Sequence, residues 1–228
     1  MSEHGASVVA FDVYGTLIDP IGIAGEIDRT LAGGRGQELA VLWRAKQLEY
    51  SFRLTVMDTY QDFRWVTDRA LRFAAASTGV ELTDEAARHL VDCYDRLPAF
   101  ADARPALAAI RADGHRPSVF SNGSPDMIAR LLANSGLDEY IEQRVSVDAV
   151  RQFKPAPAAY QHAAGSLGVP IGGVTLVSCN AFDVVGANAA GMRTVWVNRV
   201  GTTYDTIGEA PDATITGLAD LPAVLRRR

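Results

Sequence analysis

The sequence predicts an α/β fold: a parallel, doubly wound sheet whose first strand is followed by an inserted block of helices. Three observations carry this. Val8-Val9-Ala10-Phe11 is a short apolar run that ends on Asp12 and turns at Gly15, the pattern of a strand buried on both faces. From Ile18 to Arg96 the apolar residues follow helical spacing without a strand signal. From Pro98 onward strands and helices alternate, as in a parallel sheet joined by crossover helices.

Within the inserted block, Leu39, Leu42 and Trp43 begin one helical stripe in good helix-forming sequence up to about Leu54. Tyr60, Phe63, Val66, Ala70, Phe73 and Ala74 form a second. Thr83-Asp84 offers an N-cap to a third, carried by Ala87, Leu90, Val91 and Tyr94. Beyond it come a helix at Ala106–Ala112 and a strand at Arg116–Phe120. A helix from Met127 stops at Gly136, and a short strand spans Val145–Val147. The series closes with a helix at Ala156–Leu167, a strand at Val174–Val177, a helix at Asp183–Ala190, a strand at Thr194–Val197 and the segments Ala213–Ile215 and Leu218–Leu225. The division expected is a core of residues 1–17 and 97–228 and a helical unit of residues 18–96.

Composition narrows the function classes. With 48% apolar and 21% charged residues, the 228-residue chain can bury a full core. A net charge of −5, with basic residues clustered only at Arg226-Arg227-Arg228, argues against nucleic acid as a partner. Met1-Ser2-Glu3-His4 does not open a signal sequence and no run reaches membrane-span length, so a cytoplasmic location is expected. Cys93 and Cys179 match no metal or redox spacing and read as buried thiols. The four histidines form no ligand pair at helical spacing, which disfavours a histidine-based metal site.

Chemistry gathers at the strand ends, where open α/β sheets place their ligands. The first strand delivers Asp12 and Thr16, and the next delivers Ser121 and Asn122. Lys154 follows the third, and Ser178, Asn180 and Asp183 follow the fourth. Each alone has a structural explanation as a turn residue, an N-cap or a solvated loop charge. Four strand ends together supply two carboxylates, a lysine and small hydrogen-bonding side chains.

This pattern resembles the haloacid dehalogenase superfamily over nearly the whole chain. Asp12-Val13-Tyr14-Gly15-Thr16-Leu17 is similar to its first motif, Ser121-Asn122 to its second, Lys154-Pro155 to its third and Ser178-Cys179-Asn180-Ala181-Phe182-Asp183 to its fourth. The resemblance implies a nucleophilic aspartate on a Rossmann-like sheet, covered by a mobile cap. Most relatives are magnesium-dependent phosphatases with a second aspartate two residues after the nucleophile, where this chain has Tyr14. A halide leaves without a proton, so loss of that acid fits a dehalogenase. Ser178 and Asn180 also replace part of the acidity with which the phosphatases hold magnesium, leaving a thin ligand set for a hard cation. No metal or other cofactor is expected.

The inserted segment Leu42-Trp43-Arg44-Ala45-Lys46-Gln47-Leu48-Glu49-Tyr50-Ser51 resembles the cap of the L-2-haloacid dehalogenases, as does Tyr60-Gln61-Asp62-Phe63. That resemblance implies hydrolysis of L-2-haloalkanoic acids to D-2-hydroxy acids and halide through an ester on Asp12. It implies Arg44 and Asn122 as halide acceptors and Lys154 as the partner of Asp12. Asp183, positioned by Asn180 and Lys154, would activate water; Thr16, Ser121 and Ser178 would hold the substrate carboxylate and the aspartate. Tyr14, Leu48, Phe63, Tyr160 and Phe182 complete the expected substrate surroundings, and Tyr160 matches a family position that hydrogen-bonds within this network. Ala45 stands where the family commonly has glutamine and Phe182 where it commonly has tryptophan, which leaves chain length and halogen preference unspecified. The resemblance further implies a homodimer with the cap helices at its interface. The competing readings are a magnesium-dependent phosphatase of the same superfamily and a scaffold that has lost catalysis.

Overall fold

A computed structural model of the chain describes residues 7–31 and 33–226. The expectations resting on Met1–His4 and on Arg227 and Arg228 lie outside the described residues. Six parallel strands form one sheet: β1 (Val8–Phe11), β2 (Arg116–Ser121), β3 (Arg144–Ser146), β4 (Val174–Ser178), β5 (Arg193–Val197) and β6 (Ala213–Ile215), in the order β3-β2-β1-β4-β5-β6. β1 is central and every residue of it is buried, which is why it reads as an unbroken apolar run. The strand order reverses direction at β1, and Asp12 follows its last residue at that switch point.

Between β1 and β2 lie α1 (Ala24–Thr30), α2 (Gly36–Val56), α3 (Phe63–Thr78) and α4 (Asp84–Cys93), then α5 (Ala103–Ala112) beside the sheet. The remaining helices are α6 (Pro125–Ser135), α7 (Pro157–Leu167), α8 (Ala181–Ala190) and α9 (Leu221–Arg226). Thr83 caps α4 through Ala86 N–H, and Gly136 ends α6 in the left-handed region at φ +66°. The two chain crossings at the root of α1–α4 are bonded to each other: Asp19 N–H donates to Pro98 O and Phe100 N–H to Leu17 O, both at 2.9 Å.

Four expectations need correction. The short helix α1 was not anticipated: of its seven residues Ile27 is the one buried side chain, too little for a periodic signal. Tyr60 precedes α3 rather than joining its stripe, because Asp62 caps the helix at Trp65 N–H. Cys93 and Cys179 are only half-buried. His89 does have a helical partner: it lies one turn from Cys93 on α4, and both face Glu26 of α1.

Candidate active site

Local sequence places Asp12. After Val13 the chain reverses, with Gly15 N–H donating to Ile18 O and Leu17 N–H to Val13 O. Gly15 adopts φ +96°, and a Cβ there would lie 2.6 Å from Cys179 Sγ, so glycine is required on both counts. The turn swings Thr16 back over the carboxylate. Its Oγ1 donates to Asp12 Oδ2 (3.1 Å) and accepts from Cys179 N–H (2.9 Å), tying β1 to the β4 loop.

The centre is a buried ionic triad. Lys154 Nζ donates to Asp12 Oδ1 (2.8 Å), Asp183 Oδ2 (2.8 Å) and Phe120 O (3.0 Å), with its side chain 1% exposed. Burial alone would push the lysine down; the pull of Asp12 and Asp183 reverses this, and Lys154 is held above its ordinary value as an ammonium. Burial raises Asp183 above the usual aspartate range despite the opposing pull of Lys154. Tyr160 O–H donates to Asp183 Oδ1 (3.0 Å).

Asn180 sits differently from expectation. Its Nδ2 donates to Asp12 Oδ2 (2.7 Å) and to Tyr14 O (3.2 Å), so it positions the nucleophile, and its backbone carbonyl alone reaches Asp183. Two acceptors facing one amide group fix that group as the NH2 end. Tyr160 is wholly buried and hydrogen-bonds Asp183, within the network where the resemblance places it. Ser121 and Ser178 are also wholly buried, and their oxygens accept from Gly123 N–H and Asn180 N–H. Asn122 Oδ1 accepts from Lys154 N–H (2.9 Å), which turns its NH2 end the other way.

Helix α2 brings Arg44 to this centre. Its Nη2 donates to Tyr14 O (3.2 Å), and its Nη1 to Gln47 Oε1 one turn along the helix (3.1 Å). Gln47, unforeseen from sequence, is wholly buried and donates to Thr67 Oγ1 of α3 (2.7 Å); the signal available was its place three residues beyond Arg44. Tyr14, Phe63, Tyr94, Trp43 and Phe153 form a continuous aromatic wall with neighbouring ring centroids 4.7–6.1 Å apart. The Tyr14 hydroxyl within that wall is buried and has no partner among the described residues, and burial raises it far above the ordinary tyrosine range. Leu48 is half-buried on α2, and Phe182 meets Phe52 of the same helix edge-on at 5.0 Å.

A nucleophile-bearing switch point, a lysine shared by two carboxylates and helices inserted after β1 define a class, and comparison with known proteins agrees. Residues 6–191 match the family model for haloacid dehalogenase-like hydrolases, and the chain belongs to that superfamily. Within it the chain falls in the L-2-haloacid dehalogenase family. It is 36% identical to the (S)-2-haloacid dehalogenase of Pseudomonas sp. (strain YL), covering 92% of this chain and 90% of that one. It is equally identical to haloacetate dehalogenase H-2 of Moraxella sp. (strain B), over 91% and 92% of the two chains. The L-2-haloacid dehalogenase of Xanthobacter autotrophicus, solved with chloropropionic acid covalently bound, superposes with a TM-score of 0.92 at 35% identity, covering 97% of this chain and 99% of that one.

Proposed function

We propose that this chain hydrolyses short-chain L-2-haloalkanoic acids to D-2-hydroxy acids and halide. The observation that carries this over a metal-dependent phosphatase is the Asn180 amide. Asp12 Oδ2 and Tyr14 O are oxygens that a divalent cation could gather, and a neutral NH2 group already bonds both. Tyr14 also stands where a phosphatase would keep its acid, and burial keeps its hydroxyl protonated.

In the proposed reaction the core (residues 1–17 and 97–228) supplies the nucleophile and the helical unit (18–96) closes over it as a cap. An Asp12 oxygen attacks C2 of the substrate, the new C–O bond forms as the carbon–halogen bond breaks, and the halide departs with the electron pair. Arg44, joined by Asn122, stabilises that departing charge in a site lined by aromatic rings, where such interactions are strong. Thr16, Asn180 and Lys154 hold the carboxylate of Asp12 in line. Tyr14 supplies its unpartnered hydroxyl to the substrate, and Leu48, Phe63 and Phe182 bound the pocket. Asp183 takes a proton from water, whose oxygen attacks Cγ of the Asp12 ester; the ester C–O bond breaks, and the proton passes to the departing alkoxide. The raised carboxylate of Asp183 suits a base working nearer neutrality.

The helical unit carries exposed apolar side chains at Val41, Val56, Met57, Trp65 and Phe73, which supports assembly as a homodimer through that unit. Among the described residues no helix is long and apolar enough to cross a membrane, and two free thiols fit a reducing, cytoplasmic compartment.

The test is halide release from L- and D-2-chloropropionate with and without EDTA, beside a phosphate ester supplied with magnesium. Release from the L isomer alone, unaffected by EDTA and absent in an Asp12→Asn preparation shown not to deamidate, is expected. Turnover of the phosphate ester alone, lost on chelation, would overturn the reading.

A further inference from the structure

Away from the active site, Glu26 of α1 and His89 and Cys93 of α4 point one donor atom each at a common centre, all within 4.8 Å of one another. Cys93 Sγ lies 3.7 Å from His89 Nε2, and His89 Nε2 lies 2.7 Å from Glu26 Oε1. A tetrahedral ion with bonds of about 2.0–2.3 Å needs donors roughly 3.3–3.8 Å apart. The histidine–cysteine separation already meets that spacing; the carboxylate oxygen opens from His89 by a fraction of an ångström and lies within 4.8 Å of Cys93 Sγ, a gap that side-chain rotation of Glu26 adjusts. The backbones beneath are fixed, since Ile27 and Leu90 of the same two helices are core residues. We propose that Glu26, His89 and Cys93 bind one thiophilic divalent cation of the zinc type.

The donor chemistry selects that class. Thiolate, imidazole and one carboxylate oxygen form a borderline-soft set, poor for Mg2+ or Ca2+, which want several oxygens. Arg29 holds Glu26 Oε2, and Arg96 Nη2 donates to Cys93 Sγ at 3.8 Å. These two guanidiniums orient the ligands from outside, and their positive charge disfavours any cation that cannot form a thiolate bond. Binding exchanges the Cys93 thiol proton for the metal. The proton passes to solvent, and two ligand charges balance the cation. The cluster opens on a cleft of about 270 Å³ walled by Ile23 and Pro98, one beside each chain crossing, which leaves the fourth coordination position to water. An ion there joins α1 to α4 at the foot of the helical unit, through residues that take no part in the chemistry assigned to Asp12.

Metal-free, reduced, intact protein is titrated with Co2+ under anaerobic conditions. The expected result is thiolate-to-cobalt charge-transfer absorption with tetrahedral d–d bands, saturating at one equivalent, displaced by Zn2+ and untouched by Mg2+. Cys93→Ser removes the charge-transfer band, whereas Cys179→Ser keeps it. His89→Ala, at an exposed position, weakens Co2+ binding by at least about tenfold and carries the test if Cys93→Ser does not fold. Absence of the bands in the unaltered protein, their survival in Cys93→Ser, or unchanged affinity in His89→Ala overturns the proposal.

Discussion

Replacing Lys154 by methionine removes the one cation from a buried pair of carboxylates while keeping the volume. The ammonium bonds Asp12 Oδ1 and Asp183 Oδ2 at 2.8 Å each, and all three side chains are at most 7% exposed. Breaking a buried pair by deleting one partner costs about 3–5 kcal/mol, a large share of the ~5–15 kcal/mol that a domain has in hand. Two unit charges at roughly 4 Å repel by about 4 kcal/mol at an effective dielectric near 20, which makes the same scale plausible from repulsion alone. The variant relieves this by keeping a proton on one carboxylate, and Asp183, already raised by burial, is the expected holder. The sign follows from linkage. In the native protein Lys154 is raised, so its contribution is complete below pH 10.5 and is lost only as pH climbs through its folded value. In Lys154→Met the folded state holds a proton that the unfolded state releases, so stability falls as pH rises above the ordinary aspartate range. Urea unfolding at pH 5 and pH 8 reads the slope, and rapid-quench mass spectrometry with excess L-2-chloropropionate reads ester formation. The expectation is a loss of about 3–5 kcal/mol at pH 8, partly recovered at pH 5, with esterification slowed by at least about 10²-fold. A loss under about 1 kcal/mol with the native pH slope, or esterification at the native rate, would refute the triad argument.

Three further outcomes follow from the same geometry. Arg44→Ala is expected to slow single-turnover ester formation by about 10²–10³-fold while leaving the urea midpoint near native; an unchanged ester-forming rate removes Arg44 from the halide site. Asn180→Asp replaces a donor 2.7 Å from Asp12 Oδ2 with a second carboxylate, and should cut halide release by more than about 10²-fold at neutral pH while creating a Mg2+ site detectable by calorimetry. Native turnover in that variant would show that the amide does not hold the nucleophile. The pH profile of ester hydrolysis should have an acid limb above the ordinary aspartate value of 3.8, because Asp183 must be ionised to act as base and burial raises it; a limb at or below that value removes Asp183 from the role.

The sheet was legible because strands buried on both faces leave continuous apolar runs, as Val8–Phe11 and Val174–Val177 do. Asp12, Lys154 and Asp183 were legible because three strand ends of a parallel sheet must meet at one edge. Spacing gives proximity but not direction, and so Asn180 was matched to Asp183 when its amide faces Asp12. Helix α2 hid its inner face for a physical reason. It buries Gln47 and Ser51 while exposing Val41 and Val56, so the apolar stripe that normally marks the inside is blurred. The Glu26–His89–Cys93 cluster escaped notice because Glu26 is brought to α4 by tertiary packing of a helix too short to announce itself.

The donors around Asp12 impose a trade that the helical unit answers. Oδ1 accepts from Lys154, and Oδ2 accepts from both Thr16 and Asn180. Each bond fixes the carboxylate in space, and each also stabilises the ground-state charge that must be given up to carbon. Orientation alone raises the rate only if the attacking oxygen meets C2 in line and the departing charge is stabilised more than the attacking charge was. Arg44 arrives on a separate element, anchored by Gln47 and by Tyr14 O rather than by Asp12. In the proposed reaction its charge favours the halide as the nucleophile's charge is consumed. The donors divide accordingly: Lys154 and the neutral Thr16 and Asn180 hold the reactant carboxylate, and Arg44 of α2 is the group proposed for the product halide. Loss of the first set should damage both half-reactions, whereas loss of Arg44 should damage the first alone.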